Sequence, residues 1–124
     1  MQKGNSIILA AVALIFIGII GFIYTQVSKP GAYDNLAACL QEKEVKFYGA
    51  FWCPACQKQK TLFGKSEKLL PYVECSTPSG DQQTQECKDK DIKSYPTWIF
   101  ANNEVLNKTL TPEELAEKTN CPLI

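Results

Sequence analysis

Hydrophobic residues follow two different patterns along the chain, one continuous and one periodic. Residues 7–24 are an uncharged run of eighteen, IILAAVALIFIGIIGFIY, which reaches the lower length limit for a helix that crosses a membrane. From residue 34 onward, short apolar stripes alternate with polar positions, as in a globular domain exposed to water. The pattern predicts one transmembrane helix followed by a folded domain.

This division predicts four segments. They are a short cytoplasmic N-terminus at 1–6, a membrane anchor at 7–24, a linker with Ser, Pro and Gly at 25–33, and the globular domain at 34–124. Because a short N-terminus before an apolar run usually stays inside, we expect a single-pass protein of the cell membrane with its domain on the extracytoplasmic side. A cleaved signal peptide is the alternative, but the run is long and no A-x-A-like site follows it. Both interpretations place the domain outside the cytoplasm.

The globular segment predicts helices and strands in alternation. Residues 45–51 carry apolar side chains on both faces, which is typical of a strand covered on both sides in a parallel or mixed α/β sheet. The other predicted elements are helices at 34–43, 54–68, 85–92 and after Thr111, and strands at 71–75, 97–101 and 104–110. Asp34 is the predicted N-cap of the first helix, and Thr111 with Glu114 predicts a capping box for the last.

Composition restricts the chemistry that is available. The chain of 124 residues has thirteen basic and thirteen acidic side chains, and it has neither arginine nor histidine. Balanced charge without arginine argues against a nucleic-acid partner. The missing histidine removes the commonest general base and the commonest metal ligand. We therefore predict no metal and no cofactor, and any catalysis must use Cys, Lys, Asp, Glu or Tyr.

Six cysteines supply the remaining chemistry. They are Cys39, Cys53, Cys56, Cys75, Cys87 and Cys121. An even number in a small domain indicates an oxidising compartment and a set of disulfides, although sequence alone leaves several pairings open. Two of the six lie close together in the segment FWCPACQ. That pair fits a redox centre, half of a zinc site, or two cysteines of structural disulfides.

The predicted strand-to-helix junction favours the redox interpretation of FWCPACQ. With Pro54 at the first helical position, Cys53 is the N-cap, where free backbone N–H groups and the helix dipole stabilise a thiolate. Cys56 lies one turn later and should be more enclosed. Cys53 would then exchange with the substrate while Cys56 resolves the mixed disulfide. We expect Trp52 to cover one side of the pair.

Two other classes of function stay open from these residues. A Cys₄ zinc module would combine Cys53 and Cys56 with Cys75 and Cys87, but the eleven residues between the last two do not make the second C-x-x-C that a zinc ribbon prefers. A non-catalytic binding domain held by disulfides is the other class. It predicts that function survives the loss of Cys53 and Cys56.

A second element with chemical meaning is SYPTW at 94–98. Pro96 precedes a predicted strand, where a proline cannot donate to the ladder of hydrogen bonds. Most X–Pro bonds are trans, so local sequence alone favours the trans form. In the cis form, this loop would face the C-x-x-C and leave the backbone of Tyr95 free to hold an extended peptide.

Together these motifs resemble the thioredoxin fold. The segments FYGAFWCPACQKQKTLFG and YVECSTPSG…ECKDKDIKSYPTW are similar to the thioredoxin-like domain fused to, or working beside, vitamin K epoxide reductase family membrane proteins, over about residues 33–120. The resemblance implies a central mixed sheet flanked by helices, and a thiol–disulfide oxidoreductase. Its catalytic pair would be Cys53 and Cys56, supported by Trp52, Pro54, Ala55, Tyr95 and cis-Pro96.

The same resemblance implies partners. They are cysteine-containing protein substrates and a quinone-linked, vitamin K epoxide reductase-like membrane protein. Oxidase and reductase directions both stay open, because direction depends on redox poise and not on the motif. Cys75 and Cys87 would form a structural disulfide, with a second redox-active disulfide as the rival interpretation. Cys39 and Cys121 are left over, and we favour a disulfide between them over two free thiols.

Two positions depart from the family pattern. Ala55 replaces the histidine of the usual CPHC motif. The absence of that histidine should make the cysteine pair less oxidising. Phe47, six residues before Cys53, stands where thioredoxins have a buried carboxylate, so proton exchange at Cys56 would depend on water or on the partner. Lys58 and Lys60 follow the motif; we expect solvated helix positions, with thiolate stabilisation as the alternative.

Overall fold

The structure is a computed structural model that describes residues 2–27 and 29–124, and it divides into the units Met1–Pro30 and Gly31–Ile124. Met1 of the predicted N-terminus and Ser28 of the predicted linker lie outside the described residues. The first unit is helix α1, Gln2–Val27. It therefore includes residues 25–27, which the sequence pattern assigned to the linker.

Helix α1 is a candidate membrane span. Its segment Gly4–Val27 has 24 residues and a mean hydropathy of 2.9, and none of it is buried. At a rise of about 1.5 Å per residue this segment is roughly 36 Å long, which exceeds the hydrocarbon core of a bilayer, about 30 Å. A signal sequence near the N-terminus can also form an apolar helix, and it is the alternative to an anchor.

The second unit confirms the predicted α/β class and order of elements. Its helices are α2 (Asp34–Glu42), α3 (Pro54–Phe63), a 3₁₀ helix (Gly64–Leu69), α4 (Gln85–Asp89) and α5 (Pro112–Thr119). Its strands are β1 (Lys46–Gly49), β2 (Tyr72–Glu74), β3 (Thr97–Ile99) and β4 (Val105–Leu106). The sheet order is β2-β1-β3-β4, with β1 parallel to β2 and antiparallel to β3. The sheet is therefore mixed.

Strand β1 forms the centre of the sheet and of the core. Phe47 pairs with Tyr72 on one side and with Trp98 on the other. Its fully buried ring stacks on Trp98 at a centroid distance of 4.7 Å and meets Tyr72 edge to face at 5.0 Å. The position where thioredoxins have a carboxylate is thus filled by an aromatic ring packed between two others.

The predicted helix at 54–68 is wrong in its last third, residues 64–68. Helix α3 ends at Phe63, because Gly64 has φ +53° and ψ −126°, a conformation that glycine adopts without strain and other residues avoid. The chain continues to Leu69 as a 3₁₀ helix. Pro54 at the first position and the N-cap at Cys53 are as predicted.

The two predicted helix caps have different outcomes. Asp34 is not the N-cap of α2; Tyr33 holds that position, and the Asp34 carboxylate accepts a hydrogen bond from Gly31 N–H at 3.0 Å. The acid therefore closes the preceding turn, although it still lies in the positively polarised first turn of the helix. The capping box of α5 is confirmed, since Thr111 Oγ1 accepts from Glu114 N–H and the Glu114 carboxylate accepts from Thr111 N–H.

The other strands and α4 are shorter than predicted. Strand β4 has only two residues, which pair with Trp98 and Ile99 of β3, and it follows a turn in which Asn103 has φ +63°. Helix α4 stops at Asp89 rather than Ile92, and Asp91 has φ +55°. These ends depend on turns and neighbouring strands, which a single segment does not specify.

A buried glutamine fixes α3 against the rest of the domain. Gln59 is fully buried, and its Nε2 donates to Leu110 C=O at 2.7 Å. Its Oε1 accepts from Leu110 N–H at 2.7 Å and from the Trp98 indole at 3.3 Å. One side chain therefore holds α3 to β3 and to the segment before α5, and this fixes the orientation of the helix that starts at the cysteine pair.

Two disulfides close the domain. Cys39 in α2 is bonded to Cys121 after α5, and Cys75 after β2 is bonded to Cys87 in α4. Their sequence separations of 82 and 12 residues correspond, by the chain-entropy model, to about 4.5 and about 3 kcal/mol of stabilisation. Both pairings are those that the sequence analysis favoured.

Candidate active site

The candidate active site lies where β1 passes into α3. Strand β1 ends at Gly49, and Cys53 is the N-cap residue of α3. The Cys53 Sγ accepts a hydrogen bond from Cys56 N–H at 3.3 Å. Neither cysteine is in a disulfide. Free N–H groups and the helix dipole at this end favour negative charge on the Cys53 sulphur.

The two thiols of this pair have different surroundings. Cys53 is 6% exposed, whereas Cys56 is 1% exposed. Burial, followed by the hydrogen bond with Cys53, raises the pKa of Cys56 to about 12. Cys56 therefore stays a protonated thiol at neutral pH while nothing reacts with the pair. This difference fits an outer cysteine that meets the substrate and an inner one that acts afterwards.

The loop before β3 faces the outer cysteine. The Tyr95–Pro96 peptide bond is cis, as the resemblance implied against the local preference for trans. The Tyr95 carbonyl oxygen accepts from the Cys53 thiol at 3.8 Å. A peptide backbone laid along this loop would pass directly beside the Cys53 sulphur.

Two exposed aromatic residues flank the junction. Phe51 is 48% exposed and Trp52 is 50% exposed. The Trp52 indole N–H donates to Ser76 Oγ at 3.0 Å, and its ring meets Tyr95 edge to face at 6.0 Å. Trp52 thus lies between the loop after β2 and the cis-proline loop. Of the remaining predicted support residues, Pro54 is exposed and Ala55 is half-buried against the core.

Glu74 is a site residue that the sequence analysis missed. One carboxylate oxygen accepts from Phe51 N–H at 3.2 Å and from Ser76 N–H at 2.8 Å, and the other accepts from the Tyr72 hydroxyl at 2.7 Å. Glu74 therefore fixes the backbone that leads into the cysteine motif. A signal was present, because Tyr72 and Glu74 are two apart on a strand and so share one face.

Gly49 was also missed, and it sets how closely α3 approaches the sheet. A Cβ added at Gly49 would lie 2.9 Å from Cys56 Sγ and 2.9 Å from the Tyr72 ring. Real Cβ contacts are longer, so only glycine permits this approach. The backbone of β1 at Gly49 therefore packs closely against both the Cys56 sulphur and the Tyr72 ring.

The structure also bears on a zinc site. Cys75 and Cys87, which a Cys₄ module needs, are joined to each other. Within the described ranges 2–27 and 29–124, no three His, Cys, Asp or Glu side chains are grouped so that they could hold a metal ion. The Cys53–Cys56 pair is left with two ligands at most.

Comparison with known proteins points to thiol chemistry. No protein-family model matches the chain. The chain is 41% identical over 92 residues to a protein of Arabidopsis thaliana named thiol-disulfide oxidoreductase LTO1. The alignment covers 71% of this chain and 24% of that relative, so the chain spans about a quarter of the relative's length. This similarity, with the mixed sheet, supports a thioredoxin-like redox domain.

Proposed function

We propose that this protein is a membrane-anchored thiol–disulfide oxidoreductase that exchanges disulfides with cysteine-containing protein substrates through Cys53 and Cys56. The position of the Cys53 sulphur carries the proposal. It lies at the N-terminus of α3, 3.3 Å from Cys56 N and 3.8 Å from the Tyr95 carbonyl oxygen beside cis-Pro96. The other four cysteines are bonded in pairs, so Cys53 and Cys56 are the two free thiols of the domain.

The chemistry of the pair balances in both directions. As an oxidase, the Cys53–Cys56 disulfide accepts a substrate thiolate at Cys53, and Cys56 leaves as a thiolate that takes up a proton. A second substrate thiolate then attacks the substrate sulphur of the mixed disulfide and releases Cys53, so two electrons pass from substrate to enzyme. As a reductase, the same steps run in reverse, starting from the Cys53 thiolate.

The proposed location follows from the helix and the disulfides. Helix α1 would anchor the protein in the cell membrane, with residues 1–6 inside and the domain at 34–124 on the extracytoplasmic side, and the residues between Val27 and the domain would be the linker. An oxidising compartment is where disulfides such as Cys39–Cys121 and Cys75–Cys87 persist. No nucleic-acid partner is proposed, because the charge is balanced and arginine is absent.

The proposed redox partner is a quinone-linked, vitamin K epoxide reductase-like membrane protein. Support comes from the resemblance of the CPAC and YPT segments to thioredoxin-like domains that work with such proteins. A membrane anchor would keep the domain near a partner in the same bilayer. The partner would re-oxidise or reduce the Cys53–Cys56 pair after each exchange with substrate.

Trapping tests the function directly. Cys56→Ser in the full chain leaves Cys53 able to form mixed disulfides but unable to resolve them, so it should accumulate covalent complexes that a reductant releases. The double variant Cys53→Ser/Cys56→Ser is the matched control and should trap none. Equal trapping by both variants would overturn the proposal. Full biological function in the double variant would instead favour a non-catalytic binding domain.

A further inference from the structure

The inner cysteine needs help to react. Resolving a mixed disulfide requires the Cys56 thiolate, yet Cys56 is 1% exposed, and its burial favours the neutral thiol. Phe47, which stands in the place of a carboxylate, is an aromatic ring stacked on Trp98. A hydrogen bond with the Ala50 backbone favours the Cys56 thiolate, and a charged group that favours it further would have to come from another residue.

Lys60 is placed to be that group. It lies four residues after Cys56 in α3, and residues at this spacing are neighbours on one helix face. Lys60 is half-buried, whereas Lys58 is exposed. The Lys60 ammonium lies 3.6 Å from the centroid of the Tyr72 ring, a cation–π geometry. The prediction of a solvated position holds for Lys58 and not for Lys60.

The Tyr72 ring connects this ammonium to the sulphur. The same ring packs against Gly49, where an added Cβ would meet both the ring and Cys56 Sγ at 2.9 Å. The ring is held firmly, since its hydroxyl donates to Glu74 at 2.7 Å and its edge packs on Phe47. Burial, then the Glu74 hydrogen bond, raises the pKa of Tyr72, so the hydroxyl keeps its proton and this bond persists.

We propose that Lys60 supplies the positive charge that stabilises the Cys56 thiolate in the resolving step, and that Tyr72 is the positioning residue that holds this charge in place. The proposal rests on the proposed redox function of the pair. The Cys56 thiolate attacks Cys53 Sγ, the Cys53–Cys56 bond forms, the bond from Cys53 to the substrate sulphur breaks, and the substrate leaves as a thiolate. The Cys56 proton goes to water.

The charges around Cys56 agree with this assignment. Burial is the largest cause that raises the pKa of Cys56, whereas a hydrogen bond with the Ala50 backbone and, to a smaller extent, the Lys60 charge lower it. The titratable groups that interact with Cys56 are Cys53 and Lys60 of α3 and Tyr72 of β2. Glu74 lies behind them, hydrogen-bonded to the Tyr72 hydroxyl, and Tyr95 of the cis-proline loop packs against the same core cluster. Lys60 is the cation among these groups of the described residues, so it is the side chain that can supply positive charge to the Cys56 thiolate.

The expected effect is moderate. If loss of the Lys60 charge raises the pKa of Cys56 by about one unit, the thiolate fraction near neutral pH falls about tenfold. A thiolate of higher pKa is also more nucleophilic, with a Brønsted coefficient of about 0.4–0.5, which recovers about threefold. The net expectation is a resolving step about threefold slower.

Reaction of the reduced full chain in detergent with 5,5′-dithiobis(2-nitrobenzoate) separates the two steps. Attack by Cys53 releases one nitrothiobenzoate, and attack by Cys56 on the mixed disulfide releases a second, so stopped-flow absorbance shows two phases. Lys60→Gln should slow the second phase about threefold between pH 6.5 and pH 8.5, shift its pH dependence upward, and leave the first phase unchanged. Lys60→Arg keeps the charge and should restore the second phase.

Two further variants make the test specific. Lys58→Gln removes an exposed charge from the same helix and should change neither phase. Tyr72→Leu removes the ring and should slow the second phase more than Tyr72→Phe does. An unchanged second phase in Lys60→Gln, or equal slowing of both phases, would overturn the role of Lys60. Failure of the wild type to show a first phase would instead count against the proposed function of Cys53.

Discussion

Two cysteine pairs lie side by side in this domain and differ in almost every property. Strands β1 and β2 are parallel and end at the same edge of the sheet, where Cys75 N–H donates to the Gly49 carbonyl at 2.7 Å. Each strand leads to one pair. Cys75 and Cys87 are fully buried and bonded to each other, whereas Cys53 and Cys56 are unbonded.

The surroundings of the two cysteine pairs, rather than their positions in the sheet, explain why one pair is bonded and the other is not. Cys75 and Cys87 pack in a separate apolar cluster with Tyr48 and Ile92, where neither cysteine is exposed to solvent. Cys53 has a helix N-terminus and the cis-proline loop beside it. Access and local charge, rather than cysteine spacing alone, separate a structural pair from one suited to exchange.

Removing the outer cysteine should cause the largest effect. Cys53→Ser is expected to reduce disulfide exchange by at least about a hundredfold, because it removes the group that forms the mixed disulfide. Insulin reduction by the full chain with dithiothreitol measures this. If Cys75 and Cys87 form a structural disulfide, Cys75→Ala/Cys87→Ala should keep most of the exchange activity. If the folded Cys75→Ala/Cys87→Ala variant lost exchange as Cys53→Ser does, the second pair would be a redox relay and not a structural disulfide.

The structural pair should instead contribute to stability. Cys75→Ala/Cys87→Ala should lower the free energy of unfolding by about 3 kcal/mol, since the unfolded chain loses a constraint across 12 residues. Denaturant unfolding followed by tryptophan fluorescence gives this value. The matched control is Cys53→Ala/Cys56→Ala, compared with wild type in which only Cys53 and Cys56 are reduced. It should change the free energy of unfolding much less. A larger loss in the control would reverse the assignment of the two pairs.

A substitution at Gly49 should disturb the Cys53–Cys56 pair and leave the Cys75–Cys87 pair unaffected. Gly49→Ala places a Cβ at 2.9 Å from Cys56 Sγ and from the Tyr72 ring, and such overpacking costs about 1–3 kcal/mol. We also expect slower release of the second nitrothiobenzoate, because Cys56 must shift. The Cys75–Cys87 disulfide should remain intact when free thiols are counted in denaturant. Unchanged stability and kinetics would show that α3 is less tightly fixed against β1 than the structure indicates.

Much of the fold was predictable, because its signals are local. The capping box at Thr111 and the N-cap at Cys53 each depend on a few adjacent residues, and both have the predicted geometry. The end of α3 at Phe63 was missed, because a glycine such as Gly64 inside a helix costs only about 1 kcal/mol and does not by itself end the helix. Strand lengths were overestimated, because pairing with neighbours sets where strands end.

The site was predictable only in part. The motifs identify Cys53 and Pro96, but Tyr72 and Glu74 act through the parallel register that pairs Phe47 with Tyr72 and Gly49 with Glu74. No pattern within one segment reveals which residues of a neighbouring strand it will meet. The Lys60 contact depends on the same register, so its helix position alone predicted a solvated side chain.

The smallest expected effect is a pH dependence that only the reactive pair should show. Because the pKa of Cys56 is raised to about 12, above the unfolded value of about 8.5, the folded state keeps a proton that the unfolded state loses. The reduced protein should therefore lose about 1 kcal/mol of unfolding free energy between pH 7.5 and pH 9.5, and more toward pH 12. Below about pH 7.5, one unit under the unfolded pKa, nearly all of this contribution is present. This contribution is measured by denaturant unfolding at several pH values of the wild type, with the reactive pair reduced and Cys75–Cys87 intact, and of Cys56→Ala. If the free energy of unfolding had the same dependence on pH in the two proteins, Cys56 would ionise as easily in the folded state as in the unfolded state.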